Sequence, residues 1–207
     1  MGENIIAYSS ISERDPNDMI NEIRRKRKDL MKGLPKPNFI RLKVISMGES
    51  EVGKSCLIKR YCEERFVPKY TGTIGVDFGV KKVMIDGREV RVNFWDLSGQ
   101  PEFFEVRNEF YKDTQGAVLV FDVSSRSSFE ALDAWLAESS KYGAKGLFIA
   151  VCGNKTDEKN RVVTEKEGRD WAEKNGLSYF ETSAQSGANV QLMFDTLFRD
   201  IIAHMYS

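Results

Sequence analysis

The sequence predicts a three-layer α/β domain whose sheet is mostly parallel, with one antiparallel edge strand. Dense apolar stretches at 116–123 and 146–153 are typical of strands buried on both faces of a parallel sheet. Helical patterns lie between the strands, as a βα alternation requires. One hairpin, centred on the Asp86-Gly87 turn, adds the antiparallel strand.

Each predicted element has its own local signal from Phe39 onward. Apolar runs or alternating patterns predict strands at 39–48, 76–85, 89–97, 116–123, 146–153 and 177–183. Helices are predicted at 54–66, 127–143, 164–176 and 189–206. The helix at 164–176 has the clearest ends, because Thr164 and Glu167 form a capping-box pattern and Gly176 is a stop signal.

Residues 1–38 differ from the folded domain predicted at 39–207. They are polar and charged, and they are interrupted by Pro16, Pro35 and Pro37. Residues 15–34 within them have a helical pattern that includes a basic run. This extension is either a solvated arm or a basic amphipathic helix that contacts a partner or a membrane peripherally.

Composition excludes several classes of function. The chain has 31 basic and 31 acidic residues, so no net charge attracts nucleic acid. Three cysteines without CxxC spacing indicate a reduced cytoplasmic protein, and no apolar run reaches the ~20 residues of a membrane span. Because no cysteine follows Cys152, we expect no prenyl anchor.

The stretch "GESEVGKS", residues 48–55, fits the phosphate-binding pattern G-x-x-x-x-G-K-[ST] between a predicted strand and helix. Lys54 would reach the β- and γ-phosphates, and the Ser55 hydroxyl would bind Mg²⁺. Side chains at the x positions, Glu49 included, can point away, although we expect Glu51 to weaken nucleotide affinity by repulsion. Backbone N–H groups would hold the phosphates, in this chain those of Ser50, Glu51, Val52, Gly53, Lys54, Ser55 and Cys56.

The stretch "GNKTD", residues 153–157, follows a predicted buried strand and is suited to reading a guanine base. The carboxylate of Asp157 can accept both N1–H and the 2-amino group, which adenine does not present in this pattern. Asn154 can read the other edge of the base, and the stem of Lys155 can cover its face.

The stretch "WDLSGQ", residues 95–100, also ends a strand. Asp96 can bind Mg²⁺ through water, and the backbone N–H of Gly99 can meet the γ-phosphate. Gln100 can orient the attacking water, which makes Gln100 and Lys54 the predicted catalytic residues.

These motifs, with Thr73 and "ETSAQ" at 181–185, resemble the five guanine-nucleotide motifs of the Ras-superfamily small GTPases over residues 39–206. "TIGVDFG" and "FWDLSGQ" are similar to Rab proteins. "KRYCEERFV" and "RNEFYKDTQG" are closer to the RJL proteins, Rab-like GTPases often fused to a J domain. The resemblance implies a P-loop NTPase G domain with a six-stranded sheet, Mg²⁺ as cofactor and GTP or GDP as bound nucleotide.

The resemblance also assigns roles to single residues. Phe66 would pack on the guanine, Tyr70 would fold over the phosphates, and Thr73 would bind Mg²⁺ and sense the γ-phosphate. The segment Ser183, Ala184 and Gln185 would support the base. Effectors would contact the switches and the hairpin, around Ile74, Phe78, Phe94 and Trp95. Of these aromatic residues, we expect Phe94 to pack in the core and Trp95 to be exposed.

The resemblance implies a slow GTPase, a monomer that switches between GDP and GTP states. Its partners would be effectors, an exchange factor and a GTPase-activating protein. RJL proteins occur mainly in flagellated organisms, which implies a role at the basal body or cilium. They commonly lack the switch II glutamine, whereas this chain has Gln100, and no His-Pro-Asp signature of a J domain is found in the sequence.

Two alternatives stay open. A scaffold that remains loaded with GTP fits the unusual Ser50, Glu51 and Ser98 around the phosphates. A kinase of small metabolites would need a lid with catalytic arginines, and it would leave Asn154 and Asp157 without a role.

Overall fold

The computed structural model describes residues 21–22, 25–26, 39–66, 72–143 and 146–206. The chain divides into two units, Met1–Asn38 and Phe39–Ser207. In the first unit the described residues are helical and exposed, and Lys26 forms an ion pair of 2.7 Å with Glu22. The rest of the predicted helix at 15–34, and the membrane or partner contact expected of it, lies outside the described residues.

The second unit contains a six-stranded sheet with the order β2-β3-β1-β4-β5-β6. Strands β2 and β3 pair antiparallel and the other neighbours pair in parallel, which confirms the predicted fold class. Asp86 and Gly87 of the hairpin have φ angles of 49° and 76°, as a type I′ turn requires. The strands are β1 Ile40–Met47, β2 Val76–Ile85, β3 Arg88–Leu97, β4 Gly116–Asp122, β5 Phe148–Asn154 and β6 Ser178–Glu181.

Helices cover both faces of this sheet. They are α1 Lys54–Glu63, α2 Phe104–Asn108, α3 Arg126–Glu130, α4 Leu132–Tyr142, α5 Glu165–Lys174 and α6 Val190–Met205, with a 3₁₀ turn at Pro101–Phe103. The capping box predicted for α5 is confirmed, since Thr164 accepts from the Glu167 N–H and Glu167 accepts from the Thr164 N–H. Among the described residues, no helix combines the length and the hydropathy that a membrane span needs.

Two of the predicted helices differ from the structure. Helix α1 ends at Glu63 and not at Phe66, because Glu64 adopts a left-handed conformation with a φ of 56°. The predicted helix at 127–143 is two helices, which meet at Ala131, where ψ is −10°. Sequence reasoning also missed the 3₁₀ turn and α2, which are too short to show a helical period.

The core consists of two apolar layers. Leu42 and Val44 of β1 pack on one side of the sheet with α1 and α6, while Ile45 and Met47 pack on the other side with α4 and α5. Strand β4 is buried along its whole length. Because helices occupy both faces, ligands reach the sheet at the carboxyl ends of the strands, beside β1, where the strand order reverses.

Candidate functional site

The loops after β1, β3, β5 and β6 surround a cleft of about 410 Å³ at the carboxyl edge of the sheet. This is the size and the place expected of a ligand site in an open α/β sheet. The cleft is lined by Ser50, Glu51, Gly53, Lys54, Ser55, Cys56, Lys59, Phe66, Thr73, Ser98, Gly99, Gln100, Asn154, Lys155, Asp157, Glu158, Ala184 and Gln185.

The loop at 48–53 enters α1 through Gly53, whose φ of 96° is unfavourable for other residues. A Cβ atom there would lie 2.4 Å from Nδ2 of Asn154, so the loop needs glycine for a second reason. The carboxylate of Glu49 does not line the cleft and accepts a hydrogen bond of 2.8 Å from Nε1 of Trp135. Glu51 is exposed at the rim of the cleft, and its effect on affinity stays a prediction.

Lys54 is the first residue of α1 and has an exposed fraction of 6%. Its Nζ donates to the carbonyl oxygens of Gly48 and Glu49, both at 2.8 Å. Burial lowers the pKa of Lys54 to about 8, opposed by the charges of Asp96 and Glu49. A phosphate bound at this position would stabilise the ammonium form, so the loop has a buried donor that suits an anion.

Three side-chain oxygens converge beside Lys54. Ser55 Oγ donates to Asp96 Oδ2 at 2.5 Å and lies 3.0 Å from Thr73 Oγ1, which in turn lies 3.2 Å from the same carboxylate oxygen. One carboxylate and two hydroxyls are hard oxygen donors, and Mg²⁺ is bound by few protein ligands because it retains water and substrate phosphates. The donor set therefore fits Mg²⁺ bound together with a phosphate.

The orientation of Asp96 depends on Ser46, a residue that sequence reasoning missed. Ser46 is aligned with Asp96 in the parallel pairing of β1 and β3. Its hydroxyl donates to Asp96 Oδ1 at 2.6 Å and accepts from the Leu97 N–H at 3.1 Å. The second carboxylate oxygen is thereby turned toward Ser55 and Thr73.

The opposite end of the cleft is formed by Asp157 and Lys155. Ser183 donates to Asp157 Oδ1 at 2.5 Å, which fixes the plane of the carboxylate. Lys155 has a left-handed φ of 66°, and its Nζ forms an ion pair of 2.6 Å with Asp122 at the end of β4. This pair, which the sequence did not reveal, stretches the Lys155 stem along the wall of the cleft.

Asn154 connects the two ends of the cleft. Its side chain is buried, its Nδ2 donates to the Val52 carbonyl at 2.8 Å, and its Oδ1 accepts from the Ala184 N–H and the Thr182 hydroxyl, both at 3.2 Å. These contacts join the phosphate-binding loop to the segment at 183–185. The contact of Asn154 with the base stays a prediction. Its hydrogen bonds to Val52, Thr182 and Ala184 are seen in the structure.

Arg60 on α1 was also missed by sequence reasoning. Its Nε donates to the Ala184 carbonyl at 2.8 Å and its Nη2 to the Gln185 carbonyl at 2.5 Å. Its Nη1 donates to the Glu64 carbonyl at 3.0 Å. The guanidinium thus ties the end of α1 to the segment expected to support a base.

The structure brings the predicted site residues together with few exceptions. Val52 and Ser183 are buried behind the lining, where Val52 offers its carbonyl to Asn154 and Ser183 holds Asp157. Asp96 is buried beneath Ser55. Tyr70 lies outside the described residues. Lys59, Ser98 and Glu158 line the cleft without having been predicted as nucleotide-binding residues.

Comparison with known proteins identifies the kind of domain that carries this cleft. The model of the Ras family matches residues 43–203. The chain belongs to the Ras family. Ras-family domains bind GTP or GDP with Mg²⁺ and act as switches, in agreement with the donor set at Ser55, Thr73 and Asp96.

Similar proteins support the resemblance to J-domain-associated GTPases. DnaJ homolog subfamily C member 27 of Gallus gallus is 56% identical over 183 residues, which cover 86% of this Ras-family chain and 65% of that protein. DnaJ homolog subfamily C member 27-B of Xenopus laevis is 54% identical over 187 residues, which cover 86% of this chain and 66% of that protein. The chain therefore spans slightly less than two thirds of the length of these relatives.

We predict that Arg60→Ala weakens GDP binding by about tenfold, because the segment at 183–185 loses the partly buried hydrogen bond from a charged donor to the Ala184 carbonyl, a kind of bond that contributes about 1.5–3 kcal/mol. Arg65→Ala, near the same end of α1, is the matched control, since Arg65 pairs with neighbouring Glu63 on the surface. Affinity is measured by displacement of a fluorescent GDP analogue. Equal affinities of the two variants would contradict the bracing role of Arg60.

Proposed function

We propose that residues 39–207 form a guanine-nucleotide switch that binds GTP and GDP with Mg²⁺ and hydrolyses GTP slowly. The observation that carries the proposal is the joint placement of Lys54, the oxygens of Ser55, Thr73 and Asp96, and the carboxylate of Asp157 around one cleft. A triphosphate, a divalent cation and a guanine need these three kinds of group in this order.

In the proposed mechanism, the backbone N–H groups at the start of α1 and Nζ of Lys54 hold the phosphates. Ser55, Thr73 and Asp96 would hold Mg²⁺, which when bound neutralises charge on the β- and γ-phosphate oxygens. Gln100, at the rim of the cleft, orients a water for in-line attack on the γ-phosphate.

The switching property follows from where Thr73 and Gly99 lie. Both line the cleft at the phosphate end, and neither lies within a helix or a strand. Contacts to a γ-phosphate would order these segments, and the loss of that phosphate would release them. The exposure of side chains on the same surface would then differ between the GTP and GDP states, and effectors would bind accordingly.

The proposed effector surface includes exposed apolar side chains beside Thr73. Ile74 has an exposed fraction of 84% and Phe78 one of 51%. Trp95 is half-buried, with its ring 4.6 Å from that of Phe78 and 4.9 Å from that of Phe110. Phe94 belongs to the core, as expected from the sequence, with an exposed fraction of 1%, so it offers nothing to a partner.

The cellular setting is proposed from the sparse cysteines and from the resemblance to RJL proteins. A reduced cytoplasmic protein with a role at the basal body or cilium agrees with the RJL-like segments. An exchange factor and a GTPase-activating protein would set the nucleotide state, the latter able to raise hydrolysis by ~10³–10⁵. The segment at 15–34 remains the proposed contact with a membrane or a partner.

A scaffold that stays loaded with GTP is the competing proposal. It predicts that protein purified from cells carries mostly GTP, whereas a cycling GTPase would carry mostly GDP. Chromatography of the nucleotide released by denaturation separates the two.

We predict that Gln100→Leu lowers the rate of single-turnover GTP hydrolysis by at least about tenfold, because the attacking water loses its orientation. Affinity for GDP should change little, since Gln100 is expected to act on the water. Gln191→Leu on α6, which removes an exposed glutamine, is the matched control. A rate for Gln100→Leu equal to those of the control and the wild type would remove Gln100 from the mechanism.

A further inference from the structure

A polar cluster behind the cleft connects the phosphate-binding loop to the segment that carries Gln100. We refer to it as the α4 cluster, which consists of Glu49, Arg107, Tyr111, Trp135 and Glu138. Arg107 and Trp135 are buried, with exposed fractions of 6% and 4%. The five residues are absent from the lining of the cleft, so any effect on bound nucleotide is transmitted through other groups.

Arg107 of α2 makes the central contacts of the cluster. Its Nε donates to Glu138 Oε1 at 2.7 Å and its Nη2 donates to Glu138 Oε2 at 2.8 Å, a fork that fixes the guanidinium plane. Tyr111 donates to the same carboxylate at 2.8 Å. A buried charge with this many partners has one favoured position, since any other leaves it unpaired.

The third guanidinium nitrogen of Arg107 contacts Gln100, the residue predicted to orient the attacking water. Arg107 Nη1 donates to the carbonyl oxygen of Gln100 at 3.1 Å. The Phe103 N–H donates to the same oxygen at 3.2 Å. The backbone of Gln100 is therefore held from its carboxyl side by α2 and by the start of the 3₁₀ turn.

The amino side of Gln100 is held by the phosphate-binding loop. A Cβ atom on Gly99 would lie 2.4 Å from the Ser50 nitrogen and 2.7 Å from the Gly48 oxygen, so the two backbones are in direct contact. The same loop is tied to α4, because Trp135 donates its indole N–H to Glu49 at 2.8 Å. The Trp135 ring in turn lies 4.4 Å below the Arg107 guanidinium carbon.

We propose that Arg107 is a positioning residue for GTP hydrolysis, and that the α4 cluster holds the backbone of Gln100 at a fixed place relative to the phosphate-binding loop. This proposal rests on the proposed function. The guanidinium is not placed to contact a phosphate directly, because Arg107 is buried outside the lining of the cleft and its Nε and Nη2 are paired with Glu138. A displacement of about 1 Å in a group that orients a reactant can lower a rate by about a hundredfold.

The test compares single-turnover GTP hydrolysis and GDP affinity in four proteins. Arg107→Lys keeps the charge but cannot bind Glu138 with a fork and Gln100 together, so we expect hydrolysis to fall about tenfold to a hundredfold with little change in GDP affinity. Trp135→Phe keeps a ring beneath the guanidinium and removes only the hydrogen bond to Glu49, so a smaller loss is expected. Arg126→Ala, which breaks a surface ion pair with Glu167, is the control beside the wild type.

A folded Arg107→Lys protein that hydrolyses GTP at the wild-type rate would overturn the proposal. So would a parallel loss of hydrolysis and GDP affinity, because that pattern indicates general loosening. If Arg107→Lys does not fold, an unchanged hydrolysis rate in Trp135→Phe would overturn the proposal.

Failure of the proposed function gives a different result. In that case the wild type would neither bind GDP nor hydrolyse GTP measurably, and the cluster is tested by hydrogen exchange instead. We expect the Phe103 amide, which shares the Gln100 carbonyl with Arg107, to exchange at least about tenfold faster in Arg107→Lys or Trp135→Phe. Unchanged exchange in a folded variant would overturn the positioning role.

Discussion

The hydrogen bonds of one buried amide, that of Asn154, set the dimensions of the site. They join the Val52 carbonyl in the phosphate-binding loop to the Ala184 N–H near the proposed base site. Because Asn154 ends β5, a strand that is paired on both sides by β4 and β6, the rigid strand determines how far apart these two loops lie. A nucleotide has a fixed length between its phosphates and its base, so a site that reads both ends needs such a constraint.

Other contacts keep the loops of the site in register with the sheet. Ser46 turns Asp96, Asp122 stretches Lys155, and Ser183 fixes Asp157. Each of these supporting residues lies at or near the carboxyl end of a strand, where the sheet fixes its backbone. These contacts hold the loops of the site at their ends.

The fold and the lining of the cleft were predictable because they depend on local patterns. Buried strands produce the apolar run of 116–123, and the loop at 48–55 needs glycine and lysine at fixed spacing to approach an anion. The supporting contacts were not predictable, since Arg60 and Ala184 are separated by 124 positions and nothing in the spacing indicates their pairing. The early end of α1 was not predictable either. Glu64, the left-handed residue that ends the helix, accepts a hydrogen bond from Arg60 at its carbonyl, and the local sequence pattern does not indicate this conformation.

The phosphate-binding loop contains two glutamates, Glu49 and Glu51, and the structure explains how the loop accommodates Glu49. Glu49 is bound by Trp135 and belongs to the α4 cluster, while Glu51 stays at the solvent-exposed rim of the cleft. Hydrogen bonds of the cluster connect the phosphate-binding loop to α4 and α4 to α2, and Arg107 of α2 contacts the Gln100 carbonyl.

The base preference of Asp157→Asn, measured as affinities for GTP, XTP and ATP in the presence of Mg²⁺, shows whether the carboxylate of Asp157 selects guanine. Xanthine replaces the 2-amino donor of guanine with an oxygen acceptor, which the introduced side-chain amide can satisfy while Ser183 still donates to the side-chain oxygen. We expect GTP affinity to fall by about a hundredfold or more and XTP to become the preferred nucleotide. An unchanged preference for GTP over XTP in this variant would contradict this role of Asp157.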